Sequence, residues 1–315
     1  MISIVTSYYN RKQLFKRTLN SLRHKNDDLS FEVIAVDDGS DEIERIEDLE
    51  SEYEFLKVIR IEKKDKWYTN PCVPFNIGLS AVKGDIVVIQ NPECYHFGDI
   101  LNYIKKNLQT QQYLSFACFS LDKVTTNSLD ELDLGDLNIE IKNCDYRVFN
   151  DGEKGWYNHS KYRPVGYHFC AATHTENIKY LGGFDERYAR GIGFDDDEFL
   201  YRVKGIGLEI KIIDDYFVLH QNHYTEKGLF DSSNNVRKDL LLNRNKLLFE
   251  NVTKSADWCA VNYIPIDLKN SADFKENRFF QDRRSLIRYF QMNSKQYGWK
   301  GYVTKFILKM LSLRP

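Results

Sequence analysis

The order of apolar and polar positions lays out the chain. Ile2 to Ser7 is a short β-branched apolar run, the pattern of a fully buried strand. Leu14, Phe15, Thr18, Leu19 and Leu22 then recur at helical spacing, and Asn10 is placed to cap that segment. A second apolar strand, Phe31 to Val36, is followed by a predicted helix over about 41–54 and a strand from Leu56 to Ile61. Pro71 and Pro74 make the next stretch irregular, Phe75 to Val82 is helical, and Gly84 stops it. Ile86 to Ile89 is another strand, Asp99 to Leu108 a helix, and Tyr113 to Leu121 a strand.

Strands alternating with helices imply a parallel sheet with right-handed crossovers. Sheets of this kind bind ligands outside the carboxyl ends of their strands. Polar groups fall at those ends: Thr6 and Ser7, Asp37 and Asp38, then Asn91 and Glu93.

Periodicity fades over 122–165, which holds an acidic stretch near Asp130 to Asp136 and the aromatic loop Gly155-Trp156-Tyr157-Asn158-His159. The expectation is an insertion or lid over the site. Tyr167 to Thr173 is a strand, Thr175 to Leu181 a short helix, and Gly207 to Ile213 a further strand before Val218-Leu219-His220-Gln221-Asn222-His223-Tyr224. Beyond about residue 230 the pattern predicts helices over about 234–250, 275–292 and 299–312.

The chain is organised around Gly182-Gly183-Phe184-Asp185-Glu186 and, after Gly191-Ile192-Gly193-Phe194, the run Asp195-Asp196-Asp197-Glu198. Four consecutive carboxylates repel and raise one another's pKa. A fold tolerates them when a cation, a hydroxyl substrate or an Arg uses the charge. The helical pattern starts at Phe199, so the carboxylates lie at a helix N-terminus, where the macrodipole favours negative charge. A merely solvated acidic turn is the alternative; the flanking glycines and the polar strand ends favour function.

The bulk numbers narrow the class. With 315 residues there is room for one large domain, or one domain and an appendage, and a net charge of −2 points to no nucleic-acid partner. Cys72, Cys94, Cys118, Cys144, Cys170 and Cys259 are scattered without a CxxC pair, as expected for reduced thiols in the cytoplasm. Met1 leads into the first apolar run without a basic n-region, so no signal peptide is expected. No apolar run approaches the ~20 residues of a membrane span.

At Ser3-Ile4-Val5-Thr6-Ser7-Tyr8-Tyr9-Asn10-Arg11, Val36-Asp37-Asp38-Gly39-Ser40 and Asn76-x-Gly78, the sequence resembles family 2 inverting glycosyltransferases of the GT-A fold. Gly182-Gly183-Phe184-Asp185-Glu186 with Gly193-x-Asp195-Asp196-Asp197-Glu198-x-x-x-Arg202 is similar to that family's acceptor-side motif, and to the acidic block of galactosyl- and N-acetylgalactosaminyltransferases. The resemblance covers roughly residues 1–225. It implies a Rossmann-like, mostly parallel sheet flanked by helices. The expected division is a GT-A domain over 1–228, with a nucleotide-sugar half at about 1–121 and an acceptor half at about 165–228. A helical, basic extension over 229–315 follows.

The resemblance also implies roles. Thr6, Tyr8 and Asn10 line the nucleoside pocket, and Asp37 or Asp38 binds the uracil or ribose of a UDP-sugar. Asn70, Asn76 and Asn91 add neutral contacts. Asp196 is the base, with Asp195 beside it; Gly193, Asp197 and Trp156 face the sugars. His220 matches a late metal-binding histidine. The family's Asp-x-Asp reads Asn91-Pro92-Glu93 here, so Glu93 and His220 are the expected ligands of Mn²⁺ or Mg²⁺. His168 reads as a structural residue in a strand. Trp156 and Tyr157 either stack on a sugar or anchor their loop.

Inverting transfer is one in-line displacement, needing a base for the acceptor hydroxyl and charge stabilisation on the leaving diphosphate. The leading expectation is therefore a transferase that builds surface polysaccharide on a glycan or lipid-linked acceptor. A non-catalytic sugar-nucleotide or carbohydrate-binding module is the alternative, given the altered Asp-x-Asp. A nucleotidyltransferase ranks below both, since the glycine-rich, basic N-terminal loop is missing.

The tail adds a surface. From Arg283 onward there are Lys and Arg but no Asp or Glu, and Tyr302, Val303, Phe306, Ile307 and Met310 form one helical apolar face near Lys305 and Lys309. Such a face can lie on the inner, anionic side of a membrane, where each basic residue adds about 1 kcal/mol. It can equally pack on its own domain or on a second subunit of a homo-oligomer. If the face docks on a membrane, full-length protein co-sediments with anionic liposomes at low salt and loses this on deletion of 299–315. Protein that stays in the supernatant, with a deletion that is insoluble, assigns the helix to packing.

Overall fold

A computed structural model describes residues 1–23, 29–224 and 235–255. In chain order they form β1 (Ile2–Tyr8), α1 (Lys12–Arg23), β2 (Phe31–Asp37), β3 (Leu56–Arg60), α2 (Cys72–Ser80), β4 (Ile86–Gln90), β5 (Cys94–Phe97), α3 (Ile100–Asn107) and β6 (Gln112–Ser120). There follow α4 (Lys123–Ser128), α5 (Leu134–Lys142), β7 (Gly155–Asn158), β8 (Cys170–His174), α6 (Thr175–Leu181), α7 (Asp195–Gly205), β9 (Glu209–His220) and α8 (Asn235–Ser255). The helices expected over 275–292 and 299–312, Cys259 and the boundary at 228 lie outside the described residues.

The strands join in one sheet, ordered β3-β2-β1-β4-β8-β6-β9-β5, with β7 paired to β6. β1 to β4 are parallel. β8 is antiparallel to both β4 and β6, so β6 regains the direction of β1, and β9 is parallel to β6. Only β5, β7 and β8 run the other way. This is the mostly parallel, helix-flanked α/β sheet expected from the sequence. No helix among the described residues is long and apolar enough to cross a membrane.

Strand alternation sorts β1 between two cores. Ile2, Ile4 and Tyr8 pack with Phe15 and Leu19 of α1, whereas Val5 packs on the opposite face with Val36, Val73 and Ile77 of α2. Gly78 permits the second contact: a Cβ there would stand 2.5 Å from Val5 Cγ1. The Asn76-x-Gly78 motif is thus a packing device. Asn76 donates to the Phe184 carbonyl and accepts from the Phe184 N–H, which ties α2 to the glycine loop after α6.

Several local expectations shift. Residues 41–54 form two 3₁₀ turns instead of a helix. The Tyr8 hydroxyl donates to the Glu44 carbonyl at 2.6 Å at the end of the first of these turns. Residues 122–165, expected as an insertion or lid over the site, fold as α4, α5 and β7, the last adding to the sheet, and none of them lines the cavity described below. Gly207–Ile213 and the apolar segment after it are one strand, β9, irregular where its register against β6 shifts. β8 begins at Cys170, which leaves His168 in the turn before it.

One buried ion pair fastens the acidic segment. Arg202 is fully buried; its Nε and Nη2 donate to the two oxygens of Glu198 at 2.6 and 2.8 Å. Its Nη1 donates to the carbonyls of Leu181 and Gly183, closing the end of α6. Burial pushes the Glu198 carboxyl up, and Arg202 opposes that shift. Breaking a buried pair by removing one partner costs about 3–5 kcal/mol. Arg202→Leu, which leaves Glu198 buried alone, is accordingly expected to lower the unfolding free energy by about 3–5 kcal/mol, read as a lower urea midpoint. An unchanged midpoint would show that the pair does not hold this segment.

Candidate active site

Three strand ends and the start of α7 surround a cavity of about 450 Å³. Ser7, Tyr9 and Arg11 enter from the end of β1, Asp38 from β2, Asn91, Pro92 and Glu93 from β4, and Gly193, Asp195 and Asp196 from α7. Lys66, Thr69, Pro71, Phe75 and His168 complete the wall.

The period of two decides which β1 residues arrive there. Thr6 and Tyr8, expected in the nucleoside pocket, point the other way. Thr6 is buried with its hydroxyl unpartnered among the described residues, and Tyr8 is fully buried on α1. Ser7 and Tyr9 take their places. Asn10 is also absent from the wall: both ends of its amide clasp Asp41, at left-handed φ +46°. It does not cap α1, whose first N–H goes to Glu44.

Of the adjacent pair, Asp38 faces the cavity. Lys66 Nζ and Tyr68 Oη each reach it at 2.5 Å. Burial raises its pKa, against the pull of Lys66. Asp37 is committed elsewhere: it accepts from Ser40 N–H and pairs with Arg60 at 2.7 Å. Asn70 and Asn76 are committed as well. Asn70 holds Asp195 Oδ1 at 2.7 Å and caps the start of α2 at Cys72 N, and Asn76 holds Phe184 and Glu186.

Helix α7 begins at Asp195, four residues before the apolar pattern does, so all four carboxylates occupy its first turn. Gly193 (φ +66°) and Phe194 (φ +62°) supply the left-handed bend that turns Asp195 and Asp196 inward. Asn245 of α8 bonds the Tyr188 and Gly193 carbonyls, and a Cβ on Gly191 would stand 2.0 Å from the Asn245 amide oxygen. Burial and the neighbouring Asp196 charge push Asp195 up to about 6, despite the Asn70 hydrogen bond. Asp196 Oδ1 lies 2.6 Å from His168 Nδ1. A carboxylate oxygen only accepts, so Nδ1 carries the proton. Burial disfavours the imidazolium, but Asp196 and Asp195 outweigh it and lift the His168 pKa. His168 is therefore a cavity residue, not the strand residue expected.

Asp197 is held by the Tyr167 hydroxyl at 2.7 Å and is not part of the wall. Trp156 offers no face to a sugar: it is 3% exposed, its indole N–H bonds the Cys144 carbonyl, and its ring packs on Phe119 and Phe217. Tyr157 is likewise buried, stacked on Phe169.

Glu93, His220 and His223 bring one ligand atom each within 4.8 Å of one another. Glu93 Oε1 is 3.0 Å from His220 Nε2 and 3.5 Å from His223 Nε2, and Asn91 Nδ2 approaches it at 3.4 Å. Glu93 Oε2 meets Arg11 Nη1 at 2.6 Å. Burial would raise the Glu93 pKa, but Arg11 and the two histidines hold it well below the usual range. Burial drives His223 down to about 4, so it is a neutral imidazole with a lone pair to give. His220 Nδ1 is buried without a partner among the described residues. One carboxylate and two imidazoles fit a divalent transition ion, and Mn²⁺ accepts nitrogen ligands more readily than Mg²⁺.

Sequence reasoning missed Tyr9, Arg11, Lys66, Tyr68 and His168. Alternation along β1 could have found Tyr9; the others come from turns or helix starts whose approach no local pattern announces.

Comparison with known proteins agrees with the geometry. The model of the family described as Glycosyl transferase family 2 matches residues 3–163. The chondroitin synthase of Pasteurella multocida (strain Pm70) is 26% identical over 251 residues, covering 70% of this chain and 24% of that protein. The chondroitin synthase of Escherichia coli is 35% identical over 88 residues, covering 28% of this chain and 12% of that protein. The chain thus spans a quarter or less of the length of these curated relatives. Among solved structures, S. aureus TarS 1-349 aligns at TM-score 0.47 and 17% identity, covering 92% of this chain and 80% of that one. The mannosyltransferase PcManGT from Pyrobaculum calidifontis, in complex with GDP-Man and Mn2+, aligns at TM-score 0.48 and 14% identity, covering 99% and 80%. With the family match spanning 161 of 315 residues, from 3 to 163, the chain belongs to Glycosyl transferase family 2 and is a glycosyltransferase.

Proposed function

We propose that this glycosyltransferase moves a sugar from a UDP-sugar, with inversion, onto a hydroxyl of a glycan or lipid-linked glycan. The observation that carries the reading is one cavity lined by carboxylates from separate segments, Asp38, Glu93, Asp195 and Asp196. Asp38, with Lys66, Tyr68 and Tyr9 around it, is the nucleoside end. Asp196 is the base for the acceptor hydroxyl: His168 holds Oδ1 and leaves Oδ2 for the acceptor. Asp195, fixed by Asn70, keeps α7 aimed at the cavity, and Gly193 leaves room for a sugar beside it.

Glu93, His220 and His223 are the residues that would hold a divalent ion. Such an ion, when bound, supplies Lewis-acid stabilisation of the departing diphosphate. The acidic run supports galactose or N-acetylgalactosamine as the transferred sugar, and relatives named chondroitin synthase support a polysaccharide product. The same chemistry supports a cytoplasmic enzyme working at the inner membrane face when the acceptor is lipid-linked. The binding-module reading loses its main support once His223 joins Glu93 and His220, because the altered Asp-x-Asp still leaves three ligand groups.

Two outcomes test the assignment. Asp196→Asn is expected to keep UDP affinity and to lose transfer by about 10²–10⁴-fold, the usual worth of a general base. His168→Ala should slow wild-type turnover but change nothing in the Asp196→Asn background; wild-type rates in Asp196→Asn would reject Asp196 as the base. UDP release should also stop in EDTA and return with Mn²⁺, with Glu93→Ala and His220→Ala each weakening the response. Full activity in chelator would remove the ion from the reaction.

A further inference from the structure

Arg11 is not accounted for by any of these roles. It follows the left-handed Asn10, whose clasp on Asp41 and whose N–H bond to Ser40 Oγ fix the loop after β1. Its Nε donates to the Tyr9 carbonyl at 3.0 Å and its Nη1 to Glu93 Oε2 at 2.6 Å. Nη2 makes no hydrogen bond among the described residues. The Arg11 side chain is 22% exposed and lines the cavity, whereas the Glu93 carboxylate is 3% exposed.

Glu93 is crowded by donors. One oxygen faces Arg11, and the other faces His220, His223 and Asn91. It is also the sole carboxylate among the three ligand groups. A divalent ion on Oε1 and the guanidinium on Oε2 would share the charge of one buried carboxylate, and the two cations repel at close range in a poorly screened site. A nucleoside diphosphate changes this balance. It brings several negative oxygens, and a guanidinium fork matches phosphate better than any other side chain does.

We propose that Arg11 is a cation that competes with the divalent ion for Glu93 while the site is empty of donor and that moves onto the donor's diphosphate when donor and ion bind together. The inference rests on the reading of Glu93, His220 and His223 as ligand groups. Its consequence is coupling: ion and nucleotide each strengthen the other's binding because each gives one of the two cations a partner. By linkage the two enhancements are equal. Ion alone binds weakly, so the cavity is charged with metal chiefly when donor is present.

Titration calorimetry of the full chain with Mn²⁺ alone, UDP alone and each in the presence of the other tests this. For Arg11→Gln, Mn²⁺ alone is expected to bind about tenfold tighter than to wild type, within the usual range of site-to-site coupling. UDP should bind more weakly in the presence of Mn²⁺, and the mutual enhancement should shrink or vanish. Arg11→Lys keeps the charge without the fork, so it should retain weak binding of Mn²⁺ alone while losing part of the UDP affinity. It also serves if Arg11→Gln, which leaves Glu93 without its guanidinium, does not fold. Equal Mn²⁺ affinity and equal coupling in wild type and both variants would overturn the role of Arg11 and leave the ligand assignment standing. Absence of Mn²⁺ binding in wild type and variants alike, with or without UDP, would overturn the ligand assignment and this inference with it.

Discussion

The buried pair of Arg202 and Glu198 is the constraint from which the site takes its shape. Neither side chain has solvent exposure, so each charge depends on the other and on the carbonyls of Leu181 and Gly183. The pair locks the first turn of α7 to the end of α6. Asn76 locks the same loop to α2, and Asn245 locks the bend at Gly193 to α8. The first turn of α7 is therefore held from three sides, and Asp195 and Asp196 have one direction in which to point.

Two of the carboxylates in the cavity have a cation beside them, Asp38 with Lys66 and Glu93 with Arg11, and Asp196 takes the His168 Nδ1 proton. Asp195 is hydrogen-bonded by the neutral amide of Asn70, and burial with the Asp196 charge pushes its pKa up to about 6 although His168 and Asn70 oppose the shift. The cavity is thus a set of ion pairs that a ligand can enter by exchanging partners. A diphosphate can recruit cations, and a hydroxyl can take the free side of a carboxylate. Preorganisation of this kind avoids the cost of reorienting groups at the moment of reaction.

The two non-glycine residues with positive φ among those described, Asn10 and Phe194, each precede a residue that lines the cavity. Asn10 precedes Arg11 and Phe194 precedes Asp195. Such conformations persist where the surrounding contacts over-determine them. Asp41 and Ser40 do so for Asn10. For Phe194 the anchors are the Asn245 bonds one residue earlier and the packing of its ring on Phe249.

Short, β-branched apolar runs such as Ile2 to Ser7 and Phe31 to Val36 favour strands buried between layers. Their order with amphipathic helices fixed the α/β class, the parallel β1–β4 core and the polar groups at its carboxyl edge. The acidic run likewise marked its own importance, because four adjacent carboxylates need a reason. What no local pattern contained was which neighbour wins at each edge. Alternation sends Ser7 and Tyr9 to the cavity and Thr6 and Tyr8 into the core, and Arg60 claims Asp37 while Asp38 stays open. His168, Arg11 and Lys66 reach the site across gaps of 28 to 82 residues in sequence. Those pairings are settled by desolvation and by distance in three dimensions, and both exist only once the sheet, the glycine loop and α7 have closed around the same space.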